Sequence, residues 1–274
     1  MERGGVRLAV GEAGEGIPVV LLHGLTATRR YVVMGSRALE RSGHRVVGYD
    51  ARGHGESTPA PTANAYGYDE LAADLAAVLD ELEVGRAVLA GASMGAHTVL
   101  RLALDAPERV AALVAITPGY DPHTADDPAR LARWDALAAG LREGGVDGFV
   151  AAYGEPAVPA RWRDTVRQVL RQRLSAHEHP DAVADALSVV PRSHPFGALD
   201  DLAAIEAPTV IVASRDEADP EHPFALAQTY ADAIPGARLV SEDEGQSPLA
   251  WQGGRLSSVI AETASGAARA GLLR

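Results

Sequence analysis

Cysteine is absent from the 274 residues, and so is lysine: all 25 basic side chains are arginines. Without cysteine there is no disulfide, no thiolate nucleophile and no cysteine-ligated zinc. Without lysine there is no Schiff-base chemistry and no lysine-bound pyridoxal cofactor. Positive charge as a whole is scarce, since 37 carboxylates leave a net charge of −12. That balance argues against a nucleic-acid partner, whose phosphates need a concentrated basic patch. The arginines between 161 and 173 sit at helical spacing among Asp164, Val166, Val169 and Leu170, and are read as a solvated helix face rather than such a patch. Long apolar runs are missing too: 47% of the residues are hydrophobic, yet no segment approaches the roughly 18 uninterrupted apolar residues of a membrane span. The start, Met1-Glu2-Arg3-Gly4-Gly5, lacks the basic opening and apolar stretch of a secretory signal. A soluble, cytoplasmic protein without membrane association is expected, acting on a small molecule; its oligomeric state is left open.

The length suits one α/β domain with a full core. Apolar runs of strand length occur at 6–10, 18–22, 45–49, 86–90, 110–116, 209–213 and 237–240. Most are continuous rather than alternating, as in parallel strands covered on both faces. Helical patterns lie between them. At 69–82, Leu71, Leu75, Val78, Leu79 and Leu82 share one face, with Asp69 and Glu70 in the first turn. This alternation predicts a doubly wound, mostly parallel sheet with helices on both faces. One stretch interrupts it: 120–202 contains only helical patterns, at 129–141, 161–174 and 181–189, punctuated by prolines. The expected organisation is a core of 1–119 and 203–264, a helical cap of 120–202 and a frayed tail of 265–274.

The strongest motif is Gly91-Ala92-Ser93-Met94-Gly95, which satisfies G-x-S-x-G between an apolar strand and a helical run. Strand–turn–helix is the context that this motif requires: a strained turn lifts the serine hydroxyl above the sheet and leaves no room for side chains at the glycines. His23-Gly24-Leu25 follows the strand at 18–22, and Asp50-Ala51-Arg52-Gly53-His54-Gly55 follows the next. Together, in this order and spacing, the three segments resemble the α/β-hydrolase superfamily over nearly the whole chain except the cap. The resemblance implies Ser93 as nucleophile and the backbone N–H groups of Leu25 and Met94 as oxyanion donors. It implies structural roles for His23 and for a buried aspartate–arginine pair in the second segment. It also places the triad carboxylate after the strand at 209–213, where Asp219-Pro220 matches the family pattern, with Asp216 as the other candidate. No cofactor is implied, and no metal: His177-Glu178-His179 has a spacing that diverges on a helix and is read as a solvated cap segment.

The pattern breaks at its last member. After the final strand the family reads Gly-His-Ser/Ala-Pro, whereas this chain reads Gly245-Gln246-Ser247-Pro248. Glutamine has no group that takes a proton near neutral pH, so it cannot deprotonate a serine. Three readings follow. One is a hydrolase of a small, mainly apolar ester, lactone or amide whose base is His222, with Gln246 holding a polar group of the substrate or a water. Another is a non-hydrolytic enzyme on the same scaffold, such as a lyase, cyclase or cofactor-free oxygenase. The third is a catalytically degenerate ligand-binding relative. A glutamine introduced at 246 would give the same pattern. His97, one helical turn beyond Ser93, is expected to pack; the cap aromatics Trp134, Phe149, Tyr153 and Trp162 offer apolar walls.

Overall fold

The computed structural model describes residues 1–246 and 249–273. Strands β1 (Glu2–Arg3) and β2 (Val6–Arg7) form a short antiparallel ribbon. The run at 6–10 was expected as one strand, but the chain divides there. Ala9 donates its N–H to Ser57 Oγ (2.9 Å) instead of to a neighbouring strand, and pairing resumes in β3 (Val10–Ala13). With β4 (Ile17–Leu22), β5 (His44–Tyr49), β6 (Ala87–Ala92), β7 (Val110–Ile116), β8 (Thr209–Val212) and β9 (Arg238–Val240), β3 builds a seven-stranded sheet in the order β3-β5-β4-β6-β7-β8-β9. Only β3 runs antiparallel to its neighbour; the other pairs are parallel.

The sheet divides the core in two. Successive side chains of a strand point to opposite faces, so Val20 and Leu22 of β4 join one apolar cluster and Val19 and Leu21 the other. The first face is covered by α2 (Tyr68–Glu81), α3 (Met94–Asp105) and α7 (Phe224–Ala233); the second by α1 (Ala38–Arg41) and α8 (Gly253–Arg269). Every residue of β7 is buried, which is why its sequence is apolar without alternation. The first half of the tail expected to fray is helical: α8 continues through Arg269, because Ala264 and Ala267 extend its buried stripe against the sheet.

Between β7 and β8 lies the helical cap of α4 (Pro128–Tyr153), α5 (Ala160–Leu174) and α6 (Pro180–Val189). Helix α4 opens with Asp127 accepting from the Ala129 N–H (2.7 Å) and with Pro128 at the first helical position. It is longer than the pattern at 129–141 suggests, and Gly145, at φ 57°, breaks it into two arms. A third apolar cluster joins the cap to the core, with Leu137, Leu141, Phe149, Val183 and Leu187 packed over Leu25 and Met94. The cap therefore sits on the two turns that flank the serine. No helix among the described residues is long and apolar enough to cross a membrane.

Candidate active site

Ser93 occupies the turn between β6 and α3 at φ 51° and ψ −114°, a conformation that a non-glycine residue holds only under constraint. The constraint comes from both sides. The Ser93 N–H donates to the Ile116 carbonyl at the end of β7 (2.9 Å), and the Ser93 carbonyl accepts from His97 N–H in the first turn of α3 (3.1 Å). The motif's glycines are dictated by space: a Cβ on Gly91 would lie 2.1 Å from the Gly95 oxygen, and one on Gly95 would lie 2.3 Å from the Leu22 oxygen. Met94 is the first residue of α3, so its N–H has no acceptor within the helix.

The opposite wall is the turn after β4. Its backbone is held by two buried histidines. His23 Nδ1 lies 2.8 Å from the Gly24 carbonyl, and its Nε2 accepts the Ala51 N–H (2.9 Å). Burial, with His54 close by, pushes the His23 pKa well below the ordinary histidine value and keeps the ring neutral. His54 contacts the carbonyls of Arg52 (2.9 Å) and Leu25 (2.7 Å), which fixes the orientation of the Leu25 peptide. The aspartate–arginine pair expected in this segment is not an internal one. Asp50 binds Arg29, and Arg52 forms a buried pair with Asp74 of α2 (2.8 Å), because the chain turns the two side chains toward different helices.

Asp216, Asp219 and His222 share one loop, after β8. Asp216 shapes it by accepting the Ala218 N–H (2.9 Å), and makes no contact with a histidine among the described residues. Glu242, buried at the end of β9, anchors the loop by accepting from Ser214 Oγ (3.0 Å) and the Arg215 N–H (2.7 Å). Three residues after Asp219, His222 places its Nδ1 2.9 Å from both Asp219 carboxylate oxygens and its Nε2 2.9 Å from Ser93 Oγ. Ser93, His222 and Asp219 thus form one hydrogen-bonded chain. The partners select a tautomer: Nδ1–H donates to the carboxylate and Nε2 accepts from the serine hydroxyl. Burial depresses the His222 pKa, but the charge and hydrogen bond of Asp219 outweigh it and leave the pKa raised. For Asp219, burial pushes upward while His222 and Arg173 pull harder in the other direction, so the carboxyl stays below its usual range.

His97 supports this arrangement from below. Its Nε2 accepts the N–H groups of Gly119 and Tyr120 (both 3.0 Å) and its Nδ1 lies 2.9 Å from the Tyr68 hydroxyl. Burial lowers its pKa to about 3, so it stays neutral. Gly119 in turn lies flat against the His222 ring, where an added Cβ would come within 2.9 Å of His222 Cδ2.

Gln246 is not part of this assembly. It is exposed, its amide donates to Asp243 (3.2 Å), and it is absent from the cavity wall. The expectation that it holds a polar group of the substrate is therefore corrected: the acidic turn at 243–246 carries it outward. Ser247 and Pro248, the rest of that segment, lie outside the described residues. The reading of His177 as solvated is also corrected. Its Nδ1 accepts the Gly55 N–H (2.8 Å) and its Nε2 lies 3.2 Å from the Thr26 carbonyl, so it ties the cap to the core.

Above Ser93 and His222 opens a cavity of about 300 Å³ between sheet and cap. Trp134, Phe149 and Tyr153 line it, as do Leu25 and Met94; Trp162 does not, and instead donates its indole N–H to Glu217 (3.1 Å) on the outside of the cap. Several residues of the wall escaped the sequence reading, His97 and Arg173 among them. His97 was seen only as packing, and Arg173 was grouped with the solvated arginines of its helix; the signal available for Arg173 was its spacing of three from Leu170 and seven from Val166.

A model of the alpha/beta hydrolase fold family matches residues 17–234. The chain is 32% identical over 227 residues to a protein of Variovorax paradoxus provisionally named carbamate hydrolase RutD, a match spanning 82% of each. Among solved structures, Est816, described as an N-acyl homoserine lactone degrading enzyme, superposes with a TM-score of 0.72 at 29% identity, over 97% of this chain and 98% of that one. A thermophilic esterase from Thermogutta terrifontis does so with a TM-score of 0.78 at 26% identity, over 96% and 94%. The family match runs from the start of β4 to the end of α7 and so takes in the serine turn, the cap and the Asp219–His222 loop: the chain belongs to the α/β-hydrolase-fold family and is an enzyme of that family.

Proposed function

We propose that the protein is a serine hydrolase that cleaves a small, mainly apolar ester or lactone through an acyl-enzyme on Ser93, with His222 as its base. One observation carries the reading: His222 stands 2.9 Å from Ser93 Oγ on one ring nitrogen and 2.9 Å from Asp219 on the other. In this arrangement Nε2 of His222 removes the hydroxyl proton as Oγ attacks the carbonyl carbon. The N–H groups of Leu25 and Met94 hold the oxyanion, and loss of one such donor typically costs about 10²–10³ in rate. His222 then returns the proton to the leaving oxygen, and a water activated by the same nitrogen releases the acyl group. Asp219 stabilises the imidazolium formed in both steps. The similarity to Est816 and to the thermophilic esterase supports an ester or lactone over an amide.

The base does not come from the loop after the last strand but from the loop that already supplies the acid. A three-residue spacing across a turn brings His222 back over Asp219, so one loop performs the work of two. The test is covalent labelling with a fluorophosphonate, together with hydrolysis of 4-nitrophenyl butanoate. Rapid labelling at Ser93 is expected, abolished in Ser93→Ala and reduced about 10³-fold or more in His222→Ala. Turnover that survives His222→Ala unchanged would remove His222 from the mechanism. An unlabelled Ser93 in folded protein would favour a lyase, a cyclase or a ligand-binding role.

A further inference from the structure

Helix α5 carries five arginines. Four face outward and each has an acidic partner: Arg161 with Glu217, Arg163 with Glu155, Arg167 with Asp164 and Arg171 with Asp147. Arg173 is different. It continues the stripe of Val166, Val169 and Leu170 that lines the cavity, at the i, i+3, i+4, i+7 spacing of one helix face. Among the described residues no carboxylate comes within ion-pairing distance of it, and its Nε is shut off from solvent without a hydrogen-bond partner. Its guanidinium rests 5.8 Å from the centroid of the Tyr31 ring, which lines the same cavity.

An unpaired charge in an apolar wall is costly, and a buried donor without an acceptor adds to the cost. The other cationic residues of the wall are already engaged. Arg130 donates to the carbonyls of Ala125 (2.9 Å) and Pro191 (3.1 Å), and Arg133 pairs with Glu221 (2.6 Å). Among the described arginines of the wall, only Arg173 makes neither a hydrogen bond nor an ion pair, and Asp219 acts on it through space alone.

We propose that Arg173 is an anion-recognition residue, and that the preferred substrate is an ester or lactone that also carries a carboxylate. This deepens the reading of the site as a serine hydrolase and rests on it. A guanidinium presents paired N–H groups that match a carboxylate in two-point contact. The surrounding apolar wall of Tyr31, Val166 and Leu170 excludes water from that contact, and the rest of the cavity accepts the hydrocarbon between carboxylate and ester. Burial already lowers the Arg173 pKa, a strain that a bound anion relieves.

The test pairs substrates that differ only in charge: mono-4-nitrophenyl glutarate against 4-nitrophenyl pentanoate for a charge on the acyl side, and 4-acetoxybenzoate against phenyl acetate for the alcohol side. In at least one pair the anionic ester is expected to have the higher kcat/KM. Arg173→Met should reduce that preference about 100-fold, chiefly through KM, and Arg173→Lys should restore part of it. Arg171→Gln, on the outer face of α5, should leave all four rates unchanged. Calorimetry with glutarate gives a readout independent of turnover. Binding by the wild type that is lost in Arg173→Met, with no ester cleaved, would retain the anion site and overturn the hydrolase reading. Ester cleavage without a charge preference in either pair would overturn the anion site and leave the hydrolase. An equal loss on neutral and anionic esters in Arg173→Met, with a shifted pH profile, would also overturn it, because Arg173 would then act through Asp219.

Discussion

The imidazole of His222 is bounded by a carboxylate, a hydroxyl and the flat backbone of Gly119, and each contact has a measurable consequence. Asp219 raises its pKa, so the neutral form needed for proton abstraction is lost as pH falls through a value above the ordinary 6.5. The acid limb of kcat/KM is therefore expected above 6.5 in the wild type. Asp219→Asn removes the charge that raises the pKa, so the limb should move to lower pH. In the same variant kcat should fall about 10⁴-fold, because the amide no longer holds the productive tautomer. A pH–rate profile of both proteins checks the sign. Gln246 makes the complementary case. Restoring the family's histidine by Gln246→His should change ester turnover by less than about twofold, since the side chain is exposed and His222 already stands 2.9 Å from the serine hydroxyl. A steep gain would mean that the 243–246 turn reaches the site during turnover. From sequence, position 246 was visible as a loss and His222 as the candidate to replace it, three residues after Asp219; that its ring reaches Ser93 was not visible.

The elements differ in how strongly local sequence dictates them. The turn from β6 to α3 is over-determined: two glycines that cannot carry a Cβ, a strand and a helix leave Ser93 one place to stand. The cap is held more loosely, by an apolar cluster and by a few polar contacts from the 174–179 connection. His177 supplies two of these, to Gly55 and Thr26, and its ring lies 5.5 Å from that of His54. Its pKa is pushed down to about 3, chiefly by burial, so it docks as a neutral ring. His177→Ala should leave the Gly55 N–H without its acceptor and loosen the cap more than the core. Proteolysis within 154–180 should accelerate severalfold, and the ester KM should rise, while Tm falls by only a few degrees. Unchanged proteolysis would mean that the apolar cluster alone holds the cap.

At the scale of the whole molecule, histidines whose protonation is opposed by burial set an acid limit. His23, His97 and His177 all have pKa values held down by burial, to about 3 for the last two, whereas in the unfolded chain they titrate near 6.5. Below about pH 6.5 the unfolded state takes up protons that the folded state refuses. Stability should therefore fall as pH drops from about 6.5 toward about 3, by up to roughly 1.4 kcal/mol per pH unit for each histidine. Urea denaturation at a series of pH values measures this slope, and His177→Phe should flatten it. A stability that is level from pH 7 to 4 would contradict the neutral assignment of these rings. The 37 carboxylates titrate near pH 4, so the part of the slope between pH 6.5 and about 5 is the part that belongs to the histidines.

Composition, continuous strand runs and G-x-S-x-G determined the class of sheet, the cap between β7 and β8 and the position of the serine, because each rests on local backbone geometry or on the burial of a single element. Val6–Arg7 and α8 show where that reasoning stops: the end of a strand or helix depends on which partner the chain meets there, Ser57 in one case and the sheet face in the other. The candidate site depends on the same kind of long-range meeting. Ser93 and His222 are 129 positions apart in the chain, and only the parallel sheet, by setting β6 and β8 on either side of β7, brings their atoms within hydrogen-bonding reach. Arg173 is the same lesson in charge: five arginines on α5 look alike in sequence, and packing alone decided that four would be paired at the surface and one would face the cavity.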